Sequence, residues 1–370
     1  MTLNRKLNEA TRLMREGGLA GLVIYSDGTC NILRASALRY FADVAPMGPN
    51  AAAVVSADGR VTLLVQPSWD ADRVKQRTWI DDVRGADEFE RGLTDAVRRL
   101  EISGTVGLGG GREMPHPVYA ALSGAVSVVA ADDIIETIAR EKSPEEIALV
   151  RKAAAAADAG FEAFREAARV GVREYEIVAD VEYAMRRAGA DDNFILLSTG
   201  PHNTAMRAPT DRRVAPGDIV IGEITPVCEG QFVQLCRTVS VGAPARALVD
   251  CYDLLLRACE RAVRAVRANV PASIIASTID GVLTDAGYGE YCRPPYMRTR
   301  GHGFGIGSVA PGALIDADTD RPLLDQQVVV VHPNQYLPDT GYLACGETWM
   351  VTRDGAERLA RTETKLYVNS

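Results

Sequence analysis

Apolar and charged positions alternate with helical spacing from the start of the chain. In MTLNRKLNEATRLMREGG, Leu3, Leu7, Leu13 and Met14 recur with charges between them, which predicts an amphipathic helix. GLAGLVIY (18–25) then stays mostly apolar, as a buried strand does. AAAVVSADGRVTLLVQP (51–67) places an apolar run on each side of Asp58-Gly59, the dipeptide of a tight hairpin turn. TVGLG (105–109) and VSVVAA (126–131) are two more short strands, separated by helix-like stretches. The alternation predicts an α/β domain over residues 1–138.

The pattern changes in REKSPEEIALVRKAAAAADAGFEAF. Ser143 suits an N-cap, Pro144 the first helical position, and Glu146 closes a capping box. A long alanine-rich helix follows, then a second helix (172–188) and a strand, FILLSTG (194–200). GDIVIGEITPVCEGQFVQLCRTVSVG (217–242) reads as two strands joined by a short turn. Helices are predicted over 247–268 and 273–286, and QQVVVVHP and GETWMVTRDGAERL close the chain as strands. The second domain spans residues 139–370, making the whole an α/β (α+β) chain of two domains.

Composition narrows the function. A net charge of −8 leaves no basic surplus to neutralise phosphates, so nucleic acid is not an expected partner. The longest apolar runs fall far short of the ~20 residues that span a bilayer, and the first helix is no signal sequence, so no membrane partner is expected. Seven cysteines without a CxxC pair argue against a disulfide framework or structural zinc and suit a reducing cytoplasm.

The candidate chemistry lies in the second domain. Of four histidines, His202 sits in TGPHNT, His302 in RGHGFGIG and His332 at the end of QQVVVVHP. Glycines beside His302 allow backbone to approach a bound group closely. Gln234 and Cys236 are two apart and share a strand face, and Glu223 lies on the partner strand. Cys236 reads as an inert buried thiol, with a nucleophile activated by His202 or His332 as the sharper alternative. Arg298 and Arg300 suit a substrate carboxylate.

In order along the chain, GDIV, G-x6-RT, GHG-x-G, the HP strand end and VTRDG resemble the pita-bread family of creatinase, aminopeptidase P, prolidase and methionine aminopeptidase. That resemblance implies a creatinase-type α/β N-terminal domain, then a pita-bread domain with a curved antiparallel sheet and covering helices. In the family's metallopeptidases five acid or histidine side chains hold two divalent metals. Here those positions carry Glu223, Gln234, His302, His332 and Gly346, with Glu347 beside the last. One carboxylate, one amide and two imidazoles offset little metal charge, so no metal or other cofactor is expected.

His202-Asn203 resembles the His-Asn pair of creatinase, a metal-free relative. The resulting expectation is a metal-independent, creatinase-like hydrolase or lyase, not a dinuclear metallopeptidase, acting on a C–N bond of a small amide, urea or amidine. His202 would be general acid/base, with His302, Glu223 and His332 orienting substrate and water. Gln234, Cys236, Arg298, Arg300 and Tyr40 would bind substrate, Tyr40 from the neighbouring chain of a homodimer. Two alternatives remain open: a mononuclear metal on Glu223, His302 and His332, and a catalytically silent binding protein.

Overall fold

The computed structural model describes residues 5–28, 36–297, 299–304 and 314–369. The chain divides after Ala139 into two compact units. In the first, helix α1 (Arg5–Glu16) leads to β1 (Gly21–Ser26), α2 (Ala37–Ala42), β2 (Asn50–Ser56), β3 (Val61–Gln66), α3 (Ala71–Lys75) and β4 (Asp82–Gly85). Then follow α4 (Phe89–Arg99), β5 (Thr105–Gly109), α5 (His116–Ala125), β6 (Ser127–Ala130) and α6 (Asp132–Arg140). The sheet order is β4-β3-β2-β1-β5-β6. Strand β1 pairs antiparallel with β2 and parallel with β5, so both its edges are covered. Its six residues are all buried, matching the unbroken apolar run. Leu93, Ala96 and Val97 of α4 form one core with Val23, Val54 and Leu64.

The segment after β1 forms the short helix α2. The Ser36 hydroxyl accepts from the Arg39 amide, and Leu38, Phe41 and Ala42 are buried at helical spacing. The cap and the apolar period together favour the helix.

The second unit starts with α7 (Pro144–Ala167) and α8 (Glu174–Arg187), followed by β7 (Asp192–Gly200), β8 (Ile219–Cys228), β9 (Gln231–Phe232) and β10 (Leu235–Val241). The capping box of α7 is formed: Glu146 donates its amide to Ser143 Oγ at 3.2 Å, and Ser143 donates its amide to Glu146 Oε2 at 2.8 Å. Next come α9 (Arg246–Val263), α10 (Ala272–Asp285), β11 (Gly301–Gly303), β12 (Val328–Val331) and a small hairpin of β13 (Gln335–Leu337) with β14 (Gly341–Leu343). Strands β15 (Gly346–Val351), β16 (Ala356–Arg358) and β17 (Tyr367–Asn369) end the described chain.

The curled sheet runs β11-β12-β15-β10-β8-β7, with β9, β16 and β17 added to it. Helix α7 backs one half: a Cβ on Gly222 would lie 2.8 Å from the Phe164 ring. Helices α9 and α10 back the other half, packed with Val329 and Val331. Strand β17 runs parallel to β10. Its Tyr367 ring lies 4.7 Å from Phe161, and Asn369 Nδ2 donates to the carbonyls of Arg165 and Ala168 at the end of α7. Among the described residues no helix is long and apolar enough to cross a membrane.

Candidate functional site

Strand register assembles the site. Leu196, Glu223, Cys236 and Gly346 lie directly across from one another on β7, β8, β10 and β15. His332, just beyond β12, continues that row: a Cβ built on Gly346 would fall 2.4 Å from His332 Cβ. The His332 amide then donates to the Arg300 carbonyl at 3.0 Å. A second row runs two residues further along. Gln234 and Thr348 exchange hydrogen bonds, its amide to Thr348 Oγ1 at 2.8 Å and Thr348 Oγ1 to its carbonyl at 3.0 Å. Thr348 pairs with Val330, and Val330 with His302. Because side chains alternate with period two, both rows face the same side, away from Phe164 and from Val329 and Val331. Positions 223, 234, 302, 332 and 346 therefore share the concave face.

Burial sets the charge states on this face. The His302 and His332 rings lie 5.6 Å apart, each only 7% exposed. Desolvation lowers His302 to about 4, against a weak pull from the Gly303 carbonyl. Desolvation, and then His302, lower His332 to about 3. The Glu223 carboxyl takes no hydrogen bond from any described residue, and burial raises it to about 7. Burial, then the nearby Glu223, push the Cys236 thiol up to about 12. At neutral pH both imidazoles and the thiol are neutral, and the carboxyl is near its midpoint. His332 Nδ1 and Thr225 Oγ1, the latter two residues from Glu223, are buried without partners among the described residues. Such atoms invite a polar ligand.

The sequence-predicted residues divide accordingly. Glu223, Gln234, Cys236, His302 and His332 come together. His202 does not: it sits in an exposed turn, its Nε2 3.0 Å from the Pro338 carbonyl and its ring edge-on to Tyr336. None of its contacts joins it to Glu223, His302 or His332. The buried Asn203 beside it bolts the turn in place, donating to the Ile219 carbonyl at 2.8 Å. Cys236 Sγ accepts from Gln234 Nε2 and Asn334 Nδ2, and its raised pKa removes the thiolate that a nucleophile needs.

Arg300 is buried and engaged. It bonds Asp280, the Asn334 carbonyl and Gln335 Oε1, a structural use of the guanidinium where a substrate carboxylate was expected. Arg298 lies outside the described residues. Tyr40 is buried in the first unit, its hydroxyl 3.4 Å from the Ile138 carbonyl and its ring under Lys6, so its phenol is not presented to a second chain. Glu347 faces the opposite side of the sheet from Gly346, paired with the buried Arg237 and with Arg358.

Three residues on or beside this face escaped the sequence reading. Thr225 was legible from its two-residue offset from Glu223. Asn334 bridges Cys236 and the Cys345 amide. Tyr342, raised by burial, feels Cys236 and Glu223 and lies beside Asn334. The signal for Tyr342 was the hairpin QYLPDTGYL, whose turn residues separate two short apolar-aromatic runs.

The residues present do not fit a pair of divalent ions. Position 346 has no side chain, position 234 is an amide, and Glu223 is the one carboxylate among the five. Among the described residues no three His, Cys, Asp or Glu side chains converge as metal ligands, the set Glu223, His302 and His332 included.

Residues 148–358, more than half of the chain, match the model of metallopeptidase family M24. A Xaa-Pro dipeptidase of Pyrococcus furiosus is 29% identical over 238 residues, 64% of this chain and 67% of that protein. A Xaa-Pro dipeptidase of Pyrococcus horikoshii is 25% identical over 327 residues, 86% of this chain and 89% of that protein. Among solved structures, prolidase from Pyrococcus furiosus superposes with a TM-score of 0.81 at 25% identity, covering 95% of this chain and 99% of that one. An X-Pro aminopeptidase from Thermotoga maritima superposes at 0.83 and 24% identity, covering 98% and 99%, a likeness of fold.

The chain belongs to metallopeptidase family M24, with the pita-bread fold. These matches overturn the expectation of a metal-independent, creatinase-like hydrolase set apart from the metallopeptidases: the family is a metallopeptidase family and the relatives are named Xaa-Pro dipeptidases. The physical reason is that a handful of altered side chains says which groups line a cavity, whereas the branch of a family is written across hundreds of positions.

Proposed function

We propose that this member of metallopeptidase family M24 takes small peptides of the Xaa-Pro dipeptide class onto the concave face and hydrolyses the amide bond between their two residues. One observation carries the reading: a carboxyl, Glu223, stands without a hydrogen-bond partner in a buried face whose other members are neutral at pH 7. A carboxyl raised to about 7 holds and releases a proton near neutrality, which suits transfer from water to the leaving nitrogen. His332 Nδ1 and Thr225 Oγ1 offer hydrogen bonds to the peptide, and His302 stays neutral beside them. The names of the relatives support the substrate class, and the acidic balance of the chain suits a small molecule better than a polyanion. A homodimer, implied by the family resemblance, belongs to the same reading, and the particle mass in solution checks it.

The test is release of free proline from a panel of Xaa-Pro dipeptides, assayed with and without added manganese, for the wild type and Glu223→Gln. The expected outcome is turnover by the wild type and a loss of about 100-fold or more in the variant. Binding without release of proline would confine the protein to ligand capture. Neither binding nor release, under both conditions, would end the reading.

A further inference from the structure

The turn carrying His202 and the hairpin of β13 and β14 build a feature the proposed chemistry leaves unused. The Tyr296 and Tyr336 rings stack with centroids 5.4 Å apart and planes 26° from parallel. Tyr291 meets Tyr296 edge-on at 4.9 Å, and His202 meets Tyr336 edge-on at 5.6 Å. Three separate segments thus bring four rings together in the second unit. Tyr296 remains 38% exposed and His202 is exposed, so the cluster is an open platform and not a sealed core. Among the described residues the Tyr296 and Tyr336 hydroxyls have no hydrogen-bond partner, whereas the nearby Tyr288 hydroxyl donates to Asp339.

Two connections tie the platform to the concave face. Tyr336 is the direct cross-strand partner of Tyr342, whose hydroxyl end lies beside Asn334 and near Glu223 and Cys236. Cross-strand partners sit roughly 5 Å apart at Cβ. Arg300, at the end of the first row, donates to Gln335 Oε1, and Gln335 Nε2 donates to the Tyr291 carbonyl at 2.8 Å. One cross-strand pair and one hydrogen-bonded chain thus join the rings to the face that carries Glu223.

We propose that Tyr291, Tyr296 and Tyr336, with His202 at their edge, form a subsite for an aromatic side chain of the bound peptide. The proposal rests on the small-peptide reading above. Aromatic rings favour offset stacking and edge-on contact, and the platform offers both: an open stacked tyrosine face and perpendicular edges beside it. Tyrosine supplies this area at low conformational cost. His202, whose contacts are with Pro338 and Tyr336 and not with the imidazole pair, has a use here.

Calorimetric titration of the full chain with Phe-Pro, Gly-Pro and N-acetylphenylalaninamide tests the subsite, using the wild type, Tyr296→Ala and Tyr296→Phe. The wild type is expected to bind Phe-Pro about tenfold tighter than Gly-Pro. That ratio should collapse toward one in Tyr296→Ala and persist in Tyr296→Phe. Equal affinity for both dipeptides in the wild type, or a ratio unchanged in Tyr296→Ala, overturns the subsite. So does a Tyr296→Ala protein that weakens both ligands alike and melts early, since the rings would then only pack the chain. If neither dipeptide binds, the small-peptide reading fails separately. The amide probe then decides: saturable binding lost in Tyr296→Ala upholds the subsite, and its absence overturns it.

Discussion

His302 and His332 are held neutral by burial, and that has a cost that depends on pH. The unfolded chain protonates its histidines near 6.5, while the folded chain waits until about 4 and about 3. Stability from these two sites is complete above about 6.5 and is lost as pH falls through that window. Glu223 acts with the opposite sign: its folded pKa of about 7 exceeds the unfolded value, so its contribution is present in acid and declines as pH rises toward 7. Two groups oppose one, so urea midpoints should rise with pH between about 4.5 and 6.5. His332→Gln should shrink the acid-side loss by on the order of 3 kcal/mol between pH 6.5 and 4. Identical pH slopes for the wild type and that variant would show that His332 is not a buried neutral imidazole.

At the scale of elements, the contact between β12 and β15 depends on one glycine. A Cβ at position 346 would lie 2.4 Å from His332 Cβ, 2.6 Å from its Cα and 2.8 Å from the Val331 carbonyl. None of these is the flexible end of a side chain. Gly346→Ala should therefore lower the urea midpoint, by about 1–3 kcal/mol in stability, through forced separation of the two strands. A midpoint equal to the wild type would mean that the strands part freely. The capping box of α7 was legible in the sequence because Ser-Pro-Glu-Glu names its own hydrogen bonds. The close approach of β12 and β15 was not, since nothing local to Gly346 announces His332 fourteen positions earlier.

Across the whole molecule, the backbone order and the face shared by Glu223, Gln234 and Cys236 could be read from alternation alone. The assignment of His202 could not, because a loop residue has no periodicity to say where it goes. Register decides it, through the Asn203 bolt and the hairpin beneath. The outer side of the sheet is knit by Arg237, which is fully buried, bonds Glu347 at 3.0 Å and also meets the carbonyls of Gly346, Thr362 and Glu363. Arg237→Met should cost about 3 kcal/mol or more in urea unfolding, since it strands those acceptors in a dry interior. A loss under 1 kcal/mol would show that Arg358 alone satisfies Glu347.

Strand β17 has a practical consequence. Asn369 occupies the two carbonyls that α7 leaves open at its end, and Tyr367 lids Phe161. Replacing both residues with alanine would uncork α7, so the hydrogen-exchange rate of the amides in its last turn reports directly on whether that helix is seated.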